Sequence, residues 1–204
     1  MDWGKYFELL IDWKKLPAYG LEPRIDSIIG FYLPEIISYY KKNEIIDIIP
    51  EFPIRGRTIF HNFSSEKSYR MDFLLISKEN PNYLVEFKTD SNSRRERQDT
   101  YLLKAKEKKL DALINGIKFI YSATEYKDKY DHLINKLKRL SLLNDNLEFI
   151  GSNKDIEIIY VQPSKSKEDN IIDFREIVEW LNAKPNKDIF EKELCNALLK
   201  WKED

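Results

Sequence analysis

The stretch YRMDFLLISKENPNYLVEFKTD, residues 69–90, decides how the chain is read. Two apolar runs, YRMDFLLI and YLVEFKTD, flank SKENPN, a turn-rich connection, so the pattern predicts a β-hairpin. Side chains alternate across a strand. Leu84, Glu86 and Lys88 therefore share one face while Tyr83, Val85 and Phe87 share the other, and Arg70, Asp72 and Leu74 share a face in the same way. Taken by itself, an E-x-K in a strand marks an edge strand with a solvated face. The partner strand alters that reading. With Ile76 paired to Asn82 across the turn, Asp72 falls opposite Glu86; a shift of two residues sets it opposite Lys88 instead. Either register puts Asp72, Glu86 and Lys88 on one face of adjacent strands.

Outward from the hairpin, residues 3 to 15 place Trp3, Tyr6, Phe7, Leu10 and Trp13 at helical spacing, an amphipathic helix with an aromatic stripe. LEPRIDSIIGFYLPEIISYYKKN reads as a helix with Pro23 near its start, and with Gly30 and Pro34 as places where it kinks or divides. EIIDIIPEFPI is a strand whose prolines, Pro50 and Pro53, favour an edge or an end. Residues 55 to 68 read as a loop with a short strand through Thr58 to Phe60. After Asp90 the period changes to that of a helix: Ser91 or Ser93 is its cap, and no breaker intervenes before Gly116. A further helix through EYKDKYDHLINKLKRLSLL, a buried strand DIEIIYVQP, a lysine-rich loop, a short strand IIDF and two closing helices complete an α/β arrangement around a mixed central sheet flanked by helices.

The bulk properties fit one soluble domain over residues 1–204. Hydrophobic residues make up 42% and charged residues 34%, with 6 Gly and 8 Pro, a folded rather than a disordered composition. The 34 basic residues nearly balance the 35 acidic ones, so a polyanion would have to meet a local basic patch rather than a global charge. The single cysteine, Cys195, excludes an internal disulfide and suits a reducing compartment; it sits in an apolar helical pattern, as a buried thiol does. Charges in the first residues and the lack of a long apolar run argue against a leader or a membrane span, and a cytoplasmic location is expected.

Directly opposed strand residues hold their Cβ atoms about 4.5–5.5 Å apart, where like charges destabilise the pair. Two convergent carboxylates instead suit a hard divalent cation such as Mg²⁺, which takes one or two carboxylates and keeps waters that a substrate can replace. Lys88, two residues beyond Glu86, is then positioned to orient or activate an attacking water and to offset charge in a transition state at phosphorus. Asp72, thirteen intervening residues and then Glu86-Phe87-Lys88 resemble the D-x(n)-(D/E)-x-K signature of the PD-(D/E)XK nuclease superfamily. The family's proline is absent, since Met71 precedes Asp72. The resemblance implies a restriction-endonuclease-like core over about residues 20–162, a C-terminal helical cap over about 170–204, and Mg²⁺ or Mn²⁺ held by Asp72, Glu86 and Phe87. It further implies a helix glutamate that contributes to the metal site directly or through water, for which Glu22 is the preferred match ahead of Glu35 and Asp26. Gln98 and Tyr101 on the helix after the lysine are the substrate-facing pair of that family's exonuclease-like branch, one residue closer together than usual.

Arg94, Arg95 and Arg97 lie immediately beyond the motif as candidate phosphate contacts, with Lys104, Lys106, Lys108 and Lys109 further on. Interleaved Glu96, Asp99 and Glu107 make a plain solvated face the equal reading for the arginines and the better one for the distal lysines. His61 and His132 lack partners at zinc spacing, and no nucleophile triad, P-loop or dinucleotide fingerprint occurs. The sequence therefore predicts a metal-dependent nuclease acting on nucleic acid, DNA ahead of RNA, and leaves a monomer and a homodimer both open. The rival from another class is an inactive nuclease-fold subunit that binds nucleic acid or assembles with protein.

Overall fold

The computed structural model describes residues 1–60, 68–90, 96–165 and 170–203. Five strands form one sheet in the order β1 (Ile45–Arg55), β2 (Ser68–Ser77), β3 (Asn82–Phe87), β4 (Ile156–Gln162) and β5 (Ile171–Asp173). Around them run α1 (Trp3–Trp13), α2 (Glu22–Lys41), α3 (Gly56–Ile59), α4 (Glu96–Ala123), α5 (Lys127–Arg139), α6 (Phe174–Ala183) and α7 (Ile189–Glu203). β1 and β2 are antiparallel, and β4 and β5 are parallel. The Asn82 N–H donates to Asp155 O and the Lys88 N–H to Val161 O, an equal advance along both strands, so β3 and β4 are parallel as well. This is the α/β architecture with a mixed sheet that the order of elements predicts.

The strand order explains why residues 82–87 are so apolar. β3 is the middle strand and all six of its residues are buried, which requires hydrophobic side chains on both faces rather than alternation. The solvated edge suggested by E-x-K alone is therefore wrong for β3. β1 is one of the two edges, and there Pro50 and Pro53 lack the N–H that a central strand would need.

The chain divides into two compact units. One holds residues 1–42, 85–94 and 159–204. In it α1 packs on α7 through Trp3 and Phe7, whose rings lie 4.8 and 5.5 Å from that of Phe190. The Tyr40 hydroxyl of α2 donates to Glu176 O at 2.8 Å, tying α2 to α6. α6 opens with a capping box: the Glu176 N–H donates to Asp173 Oδ1, and the Asp173 N–H to Glu176 Oε2. α2 continues unbroken through Gly30 and Pro34, so neither divides it.

The other unit holds residues 43–84 and 95–158. Its β1–β2 ladder runs from Ile45–Ser77 to Arg55–Ser68. A short helix, α3, replaces the strand expected through Thr58 to Phe60. The expected caps Ser91 and Ser93 lie outside the described residues. The long helix predicted beyond them is present as α4, but it breaks at Lys109 rather than at Gly116. Gly116 serves a different purpose: a Cβ there would sit 2.8 Å from Thr58 Oγ1 and 3.4 Å from Arg55 Cβ, so only glycine lets α4 approach α3 this closely.

Lys109 adopts φ 62° and ψ 168°, a region that is nearly glycine-only and costs a side-chain-bearing residue about 1–3 kcal/mol. Lys109→Gly is thus expected to raise the unfolding free energy by about 1 kcal/mol. Its Nζ lies 3.0 Å from Asp155 Oδ1, an ion pair more than half exposed that contributes little. Lys109→Ala loses the pair but keeps the strain and is expected to stay within about 0.5 kcal/mol of the parent. Urea midpoints at constant m value separate the two outcomes.

Candidate functional site

Three of the predicted site residues come together in the first unit. β3 delivers Glu86 and, one step past its end, Lys88, on the same face. α2 delivers Glu22 as its first residue, with Pro23 in the opening turn, where a carboxylate complements the exposed N–H groups of the helix end. Lys88 Nζ lies 3.1 Å from Glu22 Oε1 and 3.4 Å from Glu86 Oε2. The side chains of Glu86, Lys88 and Glu22 are 0%, 7% and 34% exposed. A carboxylate taken wholly out of water costs several kcal/mol, and an adjacent ammonium with good geometry offsets that cost. Lys88 is itself held by its backbone, whose N–H donates to Val161 O at 2.8 Å.

Of the three candidates for the helix glutamate, only Glu22 meets Lys88 in this way. Glu35 pairs with Lys184 at 3.4 Å, and Asp26 accepts from the Ser27 N–H.

These donors are carboxylate oxygens with no sulfur or imidazole among them, which suits Mg²⁺ or Mn²⁺ and not zinc. Among the described residues no group of three or more His, Cys, Asp or Glu side chains is gathered closely enough to hold an ion alone. A cation here would take one or two carboxylates, main-chain oxygen and water, the usual mixture for Mg²⁺. Phe87 can offer only its carbonyl oxygen, because its ring is fully buried and lies 6.2 Å from that of Phe174 on the opposite, apolar face.

The carboxyl ends of parallel strands are where α/β folds place their ligands. At these ends stand Lys88 and Thr89 after β3, and Gln162 as the last residue of β4, all buried. Gln162 is one residue beyond the acceptor of the Lys88 N–H. Its Nε2 donates to Ser164 O at 2.8 Å, while among the described residues Oε1 has no hydrogen-bond partner. Sequence reasoning passed over it. The available signal was the same as for Glu86 and Lys88, a polar side chain closing an otherwise apolar strand.

The remaining candidates among the described residues belong to the second unit. Asp72 is half-buried on β2, on the face that also carries Ser68 and Arg70. Between the pairs Pro50–Phe73 and Phe52–Met71 it stands across from Glu51, an acid that sequence reasoning did not connect with it; Glu51 has a left-handed φ of 51°. Gln98 is half-buried and Arg97 exposed in the first turn of α4. The Tyr101 ring packs 4.6 Å from that of Tyr69. Arg94, Arg95 and His61 lie outside the described residues.

Two of the distal lysines have acidic neighbours, as a solvated face predicts: Lys104 Nζ is 2.8 Å from Glu107 Oε2, and Lys109 meets Asp155. His132 is exposed on α5. Burial pushes the Cys195 thiol up from its ordinary value, which suits a packing role rather than a nucleophile.

Among the described residues no helix is long and apolar enough to cross a membrane. No protein-family model, curated protein or solved structure matches the chain.

Proposed function

We propose that the protein is a divalent-metal-dependent nuclease of the PD-(D/E)XK type that hydrolyses phosphodiester bonds, with DNA its preferred substrate ahead of RNA. The observation that carries this reading is the fully buried Glu86 carboxylate beside the Lys88 ammonium, at the carboxyl end of the central strand and within reach of a helix-terminal glutamate. A plain structural ion pair has no reason to sit at that position, since an apolar pair of the same size would stabilise the sheet as well or better.

In this proposal Asp72, Glu86 and the Phe87 carbonyl, with Glu22 directly or through water, would hold Mg²⁺ or Mn²⁺, which would supply Lewis acidity toward the scissile phosphate. Lys88 donates hydrogen bonds to the attacking water and offsets charge that develops on the phosphoryl oxygens. Glu22 keeps the Lys88 ammonium aimed, as their 3.1 Å contact suggests. Gln98 is assigned to orienting the substrate, and Arg97, with Arg94, Arg95 and Tyr101, to holding its backbone.

The test uses supercoiled, linear and single-stranded DNA, and single-stranded RNA, each with Mg²⁺, Mn²⁺ or EDTA. The parent protein is expected to cut in either metal and not in EDTA, and Asp72→Ala and Glu86→Gln are each expected to lose about 10²-fold or more in rate. Metal-independent binding without cleavage, unchanged in Asp72→Ala, would establish the non-catalytic alternative instead.

A further inference from the structure

The second unit contains a cleft of about 800 Å³ that no part of the proposed catalytic chemistry uses. Ser68 and Arg70 of β2 form one wall; Thr124 and Tyr126, with Lys129 and Tyr130 of α5, form another. Among the described residues two cations line it and no carboxylate does. Lys129 Nζ lies 5.7 Å from the centre of the Tyr126 ring, and Tyr126 is 69% exposed. Burial raises the pKa of the Tyr130 hydroxyl above its ordinary value, with Arg70 acting in the opposite direction.

A second groove of about 450 Å³, lined in part by Pro50, Pro53 and Leu133, shares Arg70, Lys129 and Tyr130 with the first. The two concavities therefore meet at a basic, aromatic waist, a shape that suits a chain molecule better than a compact one. Glu51 also lines the second groove and lies 4.0 Å from Arg70, but both side chains are more than 60% exposed, so the pair gives way readily to a stronger anion.

We propose that this cleft holds a single-stranded segment of nucleic acid, with phosphates on Arg70 and Lys129 and a base stacked on Tyr126. The combination of cations with accessible aromatic rings is the chemistry that tracks unpaired strands, because every base offers a flat face to a ring. A duplex keeps its bases stacked on each other and leaves the tyrosines without a partner. The position follows the chain, too: Arg70 and Asp72 leave the same face of β2 two residues apart, about 7 Å at the usual strand rise. The inference rests on the nucleic-acid half of the nuclease reading and not on its metal chemistry.

Fluorescence anisotropy with labelled single-stranded DNA, single-stranded RNA and duplex DNA, all in EDTA, tests it without cleavage. The parent is expected to bind a single strand more tightly than duplex, and whichever of the two single strands binds better identifies the sugar. Tyr126→Ala should weaken that binding about tenfold or more. Lys129→Ala should weaken it for every base sequence alike and lower the salt slope by about one. Both side chains are exposed, so folding is not at stake, and far-UV circular dichroism confirms it. Unchanged affinity in the Tyr126→Ala/Lys129→Ala protein, tighter binding of duplex, or no binding of either single strand overturns the inference. Cleavage in Mg²⁺ that survives in that double variant would leave the nuclease reading standing while this one falls; binding without any cleavage would do the reverse.

Discussion

Lys88→Met is expected to lower the unfolding free energy by about 3–5 kcal/mol and to reduce nucleic-acid hydrolysis by about 10²–10³-fold. The first effect follows from where the two carboxylates sit. Glu86 has no exposed side-chain surface, so removing the ammonium 3.4 Å away leaves its negative charge with neither that counter-charge nor water. Glu22 is 34% exposed, and water screens it; Glu22→Ala is expected to cost no more than about 1 kcal/mol. The asymmetry between these two substitutions is the signature of a buried charge rather than of a surface ion network. Replacing both members of the buried pair, as Lys88→Met/Glu86→Leu, should recover most of the lost stability, because apolar groups of similar volume replace a buried ion pair at little cost. A double-mutant cycle from urea denaturation gives the coupling directly. If Lys88→Met unfolds within about 1 kcal/mol of the parent, the pair is not buried as described and the central argument for a functional site fails. Hydrolysis by the double variant must stay absent even when its stability returns, which separates loss of fold from loss of chemistry.

The hairpin was legible because two signals agreed: turn residues at 78–81 and apolar runs on either side. Face parity was legible for the same reason, since alternation is a property of any extended chain, and it correctly puts Glu86 with Lys88. What composition could not give was the strand's neighbours. β3 carries apolar side chains at Tyr83, Val85 and Phe87 and also at Leu84, which already indicates two covered faces, but the charged end drew the reading toward an edge. Glu22 was singled out by the family resemblance; that it, and not Glu35 or Asp26, meets Lys88 depends on the packing of α2, which no local window encodes. The break at Lys109 had no signal at all. Lysine is a good helix former, and nothing in the neighbouring residues announces a φ of 62° and ψ of 168° there. The basic, aromatic cleft was equally invisible, because Arg70 and the Lys129–Tyr130 pair are far apart in the chain and meet only once β2 and α5 are folded.

The second large effect concerns the oily side of the same strand. Phe87→Ala is expected to cost about 3–5 kcal/mol, as truncation of a fully buried phenylalanine does when its surroundings cannot collapse. Collapse is hindered here because the ring facing the cavity, that of Phe174, is also fully buried and is the first residue of α6, pinned by the Asp173–Glu176 capping box. The stacked contact, 6.2 Å between ring centres and 28° between planes, is lost as well. Phe87→Leu keeps most of the volume and is expected to cost roughly 1–2 kcal/mol. The two substitutions also probe the metal proposal, since Phe87 can contribute to it only through a carbonyl that neither change removes. Phe87→Leu should therefore need the same Mn²⁺ concentration for half-maximal cleavage as the parent, within about threefold, whereas Glu86→Gln should need at least tenfold more or show no cleavage. A Phe87→Leu protein that is stably folded yet has lost its metal response would mean that the ring itself shapes the ion site, and the division of β3 into a chemical face and a packing face would have to be abandoned.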